Sequence, residues 1–202
     1  MRPAVWDKCR RQTERERERV TVGIAAVPFG KGGNTRVIYP KSYRGFDDTQ
    51  IPSKEVFDEI RRISKNQIIF GGNYFASYLG NSSCWIVWDK DNAESFFADC
   101  ELAWTSFPTA VRKFKWRWFG MLQEQMGANK EERHHPTQKP IELFKWILSN
   151  YAKEGQSIID PFLGSGTTLI AAKQLNLNAT GIEISPEYCE IARQRLSQNI
   201  LL

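Results

Sequence analysis

Apolar residues recur along this chain at two periods, and the changes between them mark out its elements. Val56, Phe57, Ile60 and Ile63 stand at helical spacing behind Ser53, a residue suited to capping a first turn. From position 67 the pattern becomes that of strands, over 67–70, 84–88, 101–107 and 111–119. The last has a clear period of two, which puts Lys113, Lys115 and Arg117 on one face and Phe114, Trp116 and Trp118 on the other. After Pro140, the positions Ile141, Phe144, Ile147, Leu148 and Tyr151 form one apolar stripe and predict a helix packed on a core. A short apolar run at 157–159 then leads through a turn into a helical pattern over 169–175. A further strand is expected at 179–182. Ser185, with Pro186 at the first helical position, opens a last helix that should cover the sheet with Tyr188, Ile191 and Ala192. Residues 20–25 also read as a strand, and no internal repeat is present.

Composition narrows the class. A chain of 202 residues with 41% hydrophobic and 12% aromatic content is globular and long enough for one normal core. Residues 1–19 stand apart, because Arg10 to Arg19 alternates in charge and has almost nothing to bury; they are expected to form a flexible arm on a single domain at 20–202. A glycine-rich loop at 31–35 and an irregular stretch at 41–50 are expected within that domain. The net charge of +5 and sequence pI near 9.0 suit an anionic partner, and serve solubility equally well. No apolar run approaches the ~20 residues of a membrane span, and the Arg-rich amino terminus has no apolar signal core, so no membrane partner is expected and the reading is cytoplasmic. Cys9, Cys84, Cys100 and Cys189 lie far apart and read as reduced thiols. His134 and His135 lack companion ligands, so no metal is expected.

The chemistry concentrates at Asp160-Pro161-Phe162-Leu163-Gly164-Ser165-Gly166-Thr167-Thr168. Strand, glycine-bearing turn and helix together place a small polar ligand at the carboxyl end of a parallel sheet. Glycine lets the backbone approach a ligand closely. The turn lacks the lysine ending of a phosphate-binding loop and the full spacing of dinucleotide folds. Glu183 follows on the next strand, ~20 residues on, where an acid can accept both ribose hydroxyls. A nucleoside ligand without pyrophosphate fits this set.

The same residues resemble a known family. DPFLGSGTT followed by GIE is similar to the S-adenosylmethionine site of DNA amino-methyltransferases, which methylate adenine N6 or cytosine N4. His135-Pro136-Thr137-Gln138-Lys139-Pro140 resembles the motif those enzymes place around the methionine end of the cofactor. Residues 67–75 and 99–105 resemble bacterial and phage members, and the likeness covers roughly 45 to 196. The motif order implies a target-binding half over about 20–133 and a cofactor-binding half over about 134–202. The resemblance implies a three-layer α/β, Rossmann-like methyltransferase fold with a mixed, mostly parallel sheet. It also implies S-adenosylmethionine as cofactor and double-stranded DNA as partner, with adenine favoured, and it admits a homodimer. The residues implied for the cofactor are Asp160, Pro161, Phe162, Gly164, Ser165, Gly166, Thr167, Glu183, Thr137 and Lys139. Asp160 would meet the methionine ammonium and Lys139 the carboxylate. Lys113, Lys115 and Arg117 lie near the region where the family's sequence-reading hairpins occur, and face either DNA phosphates or solvent.

One motif departs from the pattern. The family carries Asp/Asn/Ser-Pro-Pro-Tyr/Phe after an apolar strand, and this chain has no Pro-Pro pair. Two registers remain open. In one, 20–25 is that strand and Ala26-Val27-Pro28-Phe29-Gly30 stands in the motif's place, with Pro28 and Phe29 as the catalytic candidates and Ala26 lacking an acceptor for the target amine. In the other, the chain begins downstream of the motif. Three functional classes follow: an active DNA amino-methyltransferase, a remnant that binds cofactor and DNA without transfer, and a small-molecule or RNA methyltransferase.

Overall fold

Isoleucine and valine fill the central strands because both faces of those strands are covered, which is the environment of a mostly parallel sheet. The computed structural model describes residues 20–26, 52–92, 98–119, 122–135 and 137–197. The expected arm at 1–19, the segments at 31–35 and 41–50, and the candidates Pro28 and Phe29 lie outside the described residues.

In chain order the strands are β1 Val20–Ala26, β2 Asn66–Phe70, β3 Trp85–Asp89, β4 Cys100–Thr105, β5 Arg112–Lys115, β6 Trp118–Phe119, β7 Leu122–Gln123, β8 Ser157–Asp160 and β9 Asn178–Gly181. Seven form one sheet in the order β5-β3-β4-β2-β1-β8-β9, while β6 and β7 make a separate hairpin. Within the seven, β4 runs antiparallel to its neighbours β2 and β3, and every other pairing is parallel.

Helices cover both faces. On one side lie α1 (Lys54–Ile63) and the short α2 (Ala76–Leu79), whose Phe57, Ile60 and Leu79 pack with Ala25, Ile69 and Trp104. On the other lie α3 (Ile141–Tyr151) and α4 (Thr167–Gln174), which bring Phe144, Ile147 and Ala171 against Val22, Ile24 and Ile68. Beside α4 runs α5 (Pro186–Ser197), joined to it where the Lys173 ammonium donates to the Leu196 carbonyl at 2.7 Å. The result is a three-layer α/β fold with a mixed, mostly parallel sheet. Among the described residues no helix is long and apolar enough to cross a membrane.

The structure places the strand of the first register. Residues 20–26 occupy the middle of the sheet, with Gly23 opposite Gln67 on one side and Ile159 on the other. The backbone groups of this strand therefore have partners on both edges, as the first register expects. Gly23 also explains why α1 can sit so close. A Cβ there would lie 2.7 Å from the Ser64 hydroxyl oxygen at the end of that helix.

The expected long strand over 111–119 is a second correction. Only 112–115 pairs with β3; the amides of Trp116 and Trp118 then bond to the carbonyls of Asp89 and Lys90, beyond the ladder. From there the chain turns into the hairpin, where Trp118 faces Gln123. The alternation itself holds where it was read most clearly: Phe114 and Trp116 stack at 6.0 Å, and Phe114 packs on Trp146 of α3.

Candidate functional site

Carboxyl ends of parallel strands gather at one edge of a sheet, and here that edge is formed by β1, β2, β8 and β9. Asp160 closes β8 and is 2% exposed. One carboxylate oxygen accepts the Phe162 amide at 3.0 Å and the other the Thr168 hydroxyl at 2.5 Å, so the acid braces its own turn. Burial pushes its pKa up to about 6 in spite of those bonds, and Glu183 pushes the same way. Glu183 accepts the Gly164 amide at 2.7 Å with one oxygen and the Ser185 amide at 2.9 Å with the other. The acid expected to face a ribose thus also ties the glycine turn to the end of β9. Beside it, Ile184 is 71% exposed.

The turn depends on left-handed backbone at Gly164 (φ 54°) and Gly166 (φ 89°). At Gly166 space is short as well, since a Cβ would lie 2.9 Å from the Cβ of Ala192 on α5. Phe162 leaves the turn to pack with the cluster around Ala25 and Phe57. Ser165 and Thr167 are buried, and their hydroxyls face inward to protein partners instead of the open edge.

Those inward contacts reveal a network that was not legible in the sequence. The Ser165 hydroxyl donates to the Gln138 side-chain oxygen at 3.0 Å, and the Arg195 guanidinium donates to the Ser165 carbonyl at 2.7 Å. Glu131 accepts from the Gln138 amide at 2.8 Å and the Ile141 amide at 2.9 Å, and pairs with Arg195 at 3.4 Å. Segment 131–141, the glycine turn and α5 are thereby locked together. Gln138 lay within a recognised motif without an assigned role. Arg195 belongs to no motif or apolar period, and its side chain is 7% exposed. Losing one partner of such a pair leaves a buried charge. Arg195→Met is therefore expected to destabilise the fold by about 3 kcal/mol, and Arg195→Met with Glu131→Gln by clearly less. Denaturant titration of both variants checks this, and equal losses would contradict it.

His135 has a structural place. Its ring packs on Tyr188 at 4.5 Å, and its Nδ1 accepts the Thr137 amide at 3.2 Å, which assigns the proton to Nε2. Burial, with the nearby Lys139 charge, lowers its pKa to about 4 and keeps it neutral. Thr137 is exposed, its hydroxyl 3.0 Å from the same Nδ1. Lys139 was expected to await a carboxylate from the cofactor. The structure shows its ammonium already 3.2 Å from Glu101 of β4 and over the Phe70 ring at 5.0 Å. Lys90 binds the other Glu101 oxygen at 2.7 Å. Burial would raise Glu101, but the ammonium groups of Lys139 and Lys90 outweigh it and hold the carboxyl down at about 2.

On the target side, Ala26 ends β1 at the same edge, paired with Phe70, and contributes no polar side-chain atom. The cations of the basic strand are not free. Lys113 pairs with Asp89 at 3.4 Å, and Lys115 and Arg117 share Asp91 at 2.8 and 2.7 Å.

Comparison with known proteins agrees with this geometry. The sequence model of the DNA methylase family matches residues 85–194, more than half of the chain. The type II methyltransferase M2.DpnII of Streptococcus pneumoniae is 46% identical over 79 residues, covering 39% of this chain and 29% of that protein. M2.MboI of Moraxella bovis is 32% identical over 124 residues, covering 61% of this chain and 44% of that protein. The chain therefore spans less than half the length of these curated relatives. Among solved structures, the M1.HpyAVI–SAM complex superposes with a TM-score of 0.59 over 95% of each chain at 21% identity, a likeness of fold.

Proposed function

The chain belongs to the DNA methylase family, and from that premise we propose that it transfers the methyl group of S-adenosylmethionine to an exocyclic amino nitrogen of adenine or cytosine in DNA. The observation that carries the reading is the turn at 160–166, with Glu183 bonded to the Gly164 amide at 2.7 Å at the carboxyl edge beside β1. The residues present fit the cofactor. Asp160 offers a carboxylate for its ammonium, the remaining lone pairs of Glu183 suit ribose hydroxyls, and Ile184 gives its purine an apolar wall. S-adenosylmethionine supplies an electrophilic methyl group on a sulfonium. The protein's part is to hold the amine in line with that methyl and exclude water, which together account for most of what such a site contributes. Pro28 and Phe29, following β1, are the proposed residues of the base pocket, with the Phe29 ring stacking on an extruded base.

Ala26 favours a second reading, in which the chain binds cofactor and DNA without transfer, because the end of β1 offers the amine no side-chain acceptor. Transfer of labelled methyl from S-adenosylmethionine to unmethylated double-stranded DNA by the purified chain separates the two. Transfer that is lost on Phe29→Ala supports the enzyme. Cofactor binding without transfer supports the second reading.

Lys113, Lys115 and Arg117 are proposed as phosphate contacts, but their pairing with Asp89 and Asp91 competes with phosphate. Replacing all three by alanine is thus expected to reduce the slope of log K against log salt by about 1, where three free contacts would give about 3. Binding measured across a salt series decides which.

A further inference from the structure

Methylating an amino nitrogen requires an acceptor for its hydrogens, and Ala26 cannot be that acceptor. We propose that Lys90, Glu101 and Lys139 form the subsite for the pairing edge of the extruded base, with Glu101 accepting a hydrogen bond from the amino group that is methylated. This rests on the amino-methyltransferase reading and identifies the group that completes its site.

Position is the first argument. Ala26 is in register with Phe70, and Phe70 with Ala103 of β4. Because β4 is antiparallel, Glu101 lies two residues beyond Ala103 toward the carboxyl edge and on the same face. Strand spacings place its Cα ~10 Å across from that of Ala26 and ~7 Å further along, a separation of roughly 12 Å. That separation leaves a gap about the width of a base between the end of β1 and the Glu101 cluster.

Accessibility is the second. Among the three charged groups, Glu101 is partly buried but the most exposed, at 34%, against 19% for Lys90 and 10% for Lys139. A carboxylate has about four acceptor positions. The two lysines use two of them and leave others free. Lys139 also ties the cluster to the cofactor side, since its charge reaches both Asp160 and His135.

Chemical pattern is the third. Adenine and cytosine both present an amino donor beside a ring-nitrogen acceptor on the pairing edge, and flipped bases are read along that edge. Carboxylate beside ammonium is the complementary pair: Glu101 accepts from the amine while a lysine donates to the ring nitrogen. Thymine and guanine offer a carbonyl beside a ring N–H, so the same pair would leave like groups facing each other.

The step balances. The amine lone pair forms the new N–C bond, the C–S bond breaks with its electrons to sulfur, and a neutral thioether results. The nitrogen then gives up one proton, directed by Glu101 toward solvent water. Glu101 is too weak a base to retain it.

The test is Glu101→Gln, assayed for labelled methyl transfer to unmethylated double-stranded DNA at saturating S-adenosylmethionine, with cofactor binding measured by calorimetry. Turnover is expected to fall roughly 100-fold with little change in cofactor Kd, as when a charge-stabilising contact is removed from an active site. Adding Ala26→Asp to that variant should restore about tenfold, since it returns an acceptor at the end of β1. Should the glutamine variant fail to fold, Glu101→Asp keeps the charge on a shorter arm and is expected to lose about tenfold in turnover at unchanged Kd. Wild-type turnover in Glu101→Gln would overturn the inference and leave the enzyme reading standing. So would a loss of cofactor affinity matching the loss of turnover without rescue by Ala26→Asp, which would make Glu101 only a prop for Lys139. Cofactor binding without transfer by the unsubstituted chain would overturn both.

Discussion

At about pH 7.5, Asp160→Asn is expected to be more stable than the unsubstituted chain by on the order of 3 kcal/mol, and to bind S-adenosylmethionine on the order of 100-fold more weakly. The two effects have one cause. The folded pKa of Asp160 is about 6, against an ordinary 3.8, because burial disfavours the charge. With the folded value raised, the stability the acid contributes is fully present below about pH 4 and is lost as pH rises through about 6. Above that, a buried charge is retained that the fold alone would not choose. An asparagine can still accept the Phe162 amide, and Thr168 can turn its hydroxyl to accept instead of donate. What asparagine cannot do is pair with an ammonium. Cofactor affinity of the unsubstituted chain should accordingly fall about tenfold between pH 7 and pH 5, as the acid is protonated, while that of Asp160→Asn stays level. Thermal unfolding and calorimetry across this range test both halves. An Asp160→Asn variant that binds as tightly as the parent would remove the ammonium role.

Gly166→Ala is expected to lose 3 kcal/mol or more, roughly. Left-handed backbone costs a non-glycine residue ~1–2 kcal/mol. The new methyl would also meet Ala192 at 2.9 Å from its Cβ and 3.2 Å from its Cα. Because the second contact is backbone, α5 itself must shift. Ala192→Gly in the same chain removes the closer contact only, so partial recovery is the expected outcome of the double variant in denaturant titration. A loss below about 1 kcal/mol for Gly166→Ala would mean the turn and α5 are not held together as described.

Local pattern exposed the elements whose side chains face a single environment. The stripe of α3 and the strand–turn–helix at 157–174 were readable because their apolar periods are uninterrupted, and the glycine turn because its backbone demands are written in its residues. Long-range partners were not readable. Nothing in the sequence says that Arg195 reaches Ser165, that Lys139 meets a carboxylate on β4, or that Asp91 gathers two of the three cations of the basic strand. Such pairs are made by topology, between residues far apart in the chain, and have no period to betray them. The strand over 111–119 was read too long for a related reason: alternation persists through Trp118, while the neighbouring strand that could pair with it ends at Asp89.

The central position of β1 has a consequence for how the molecule is made. Its neighbours in the sheet are distant in sequence, for Gly23 must find both Gln67 and Ile159. At ribosomal speeds of ~5–20 residues per second, roughly ten seconds separate the synthesis of β1 from that of β8. Through that interval one edge of an apolar strand has no ladder partner, and pairings of such long loop closure are slow to form. The strand at whose tip methyl transfer is proposed thus waits for a partner made far later in the chain. The sheet around β1 is therefore complete only after β8 has emerged.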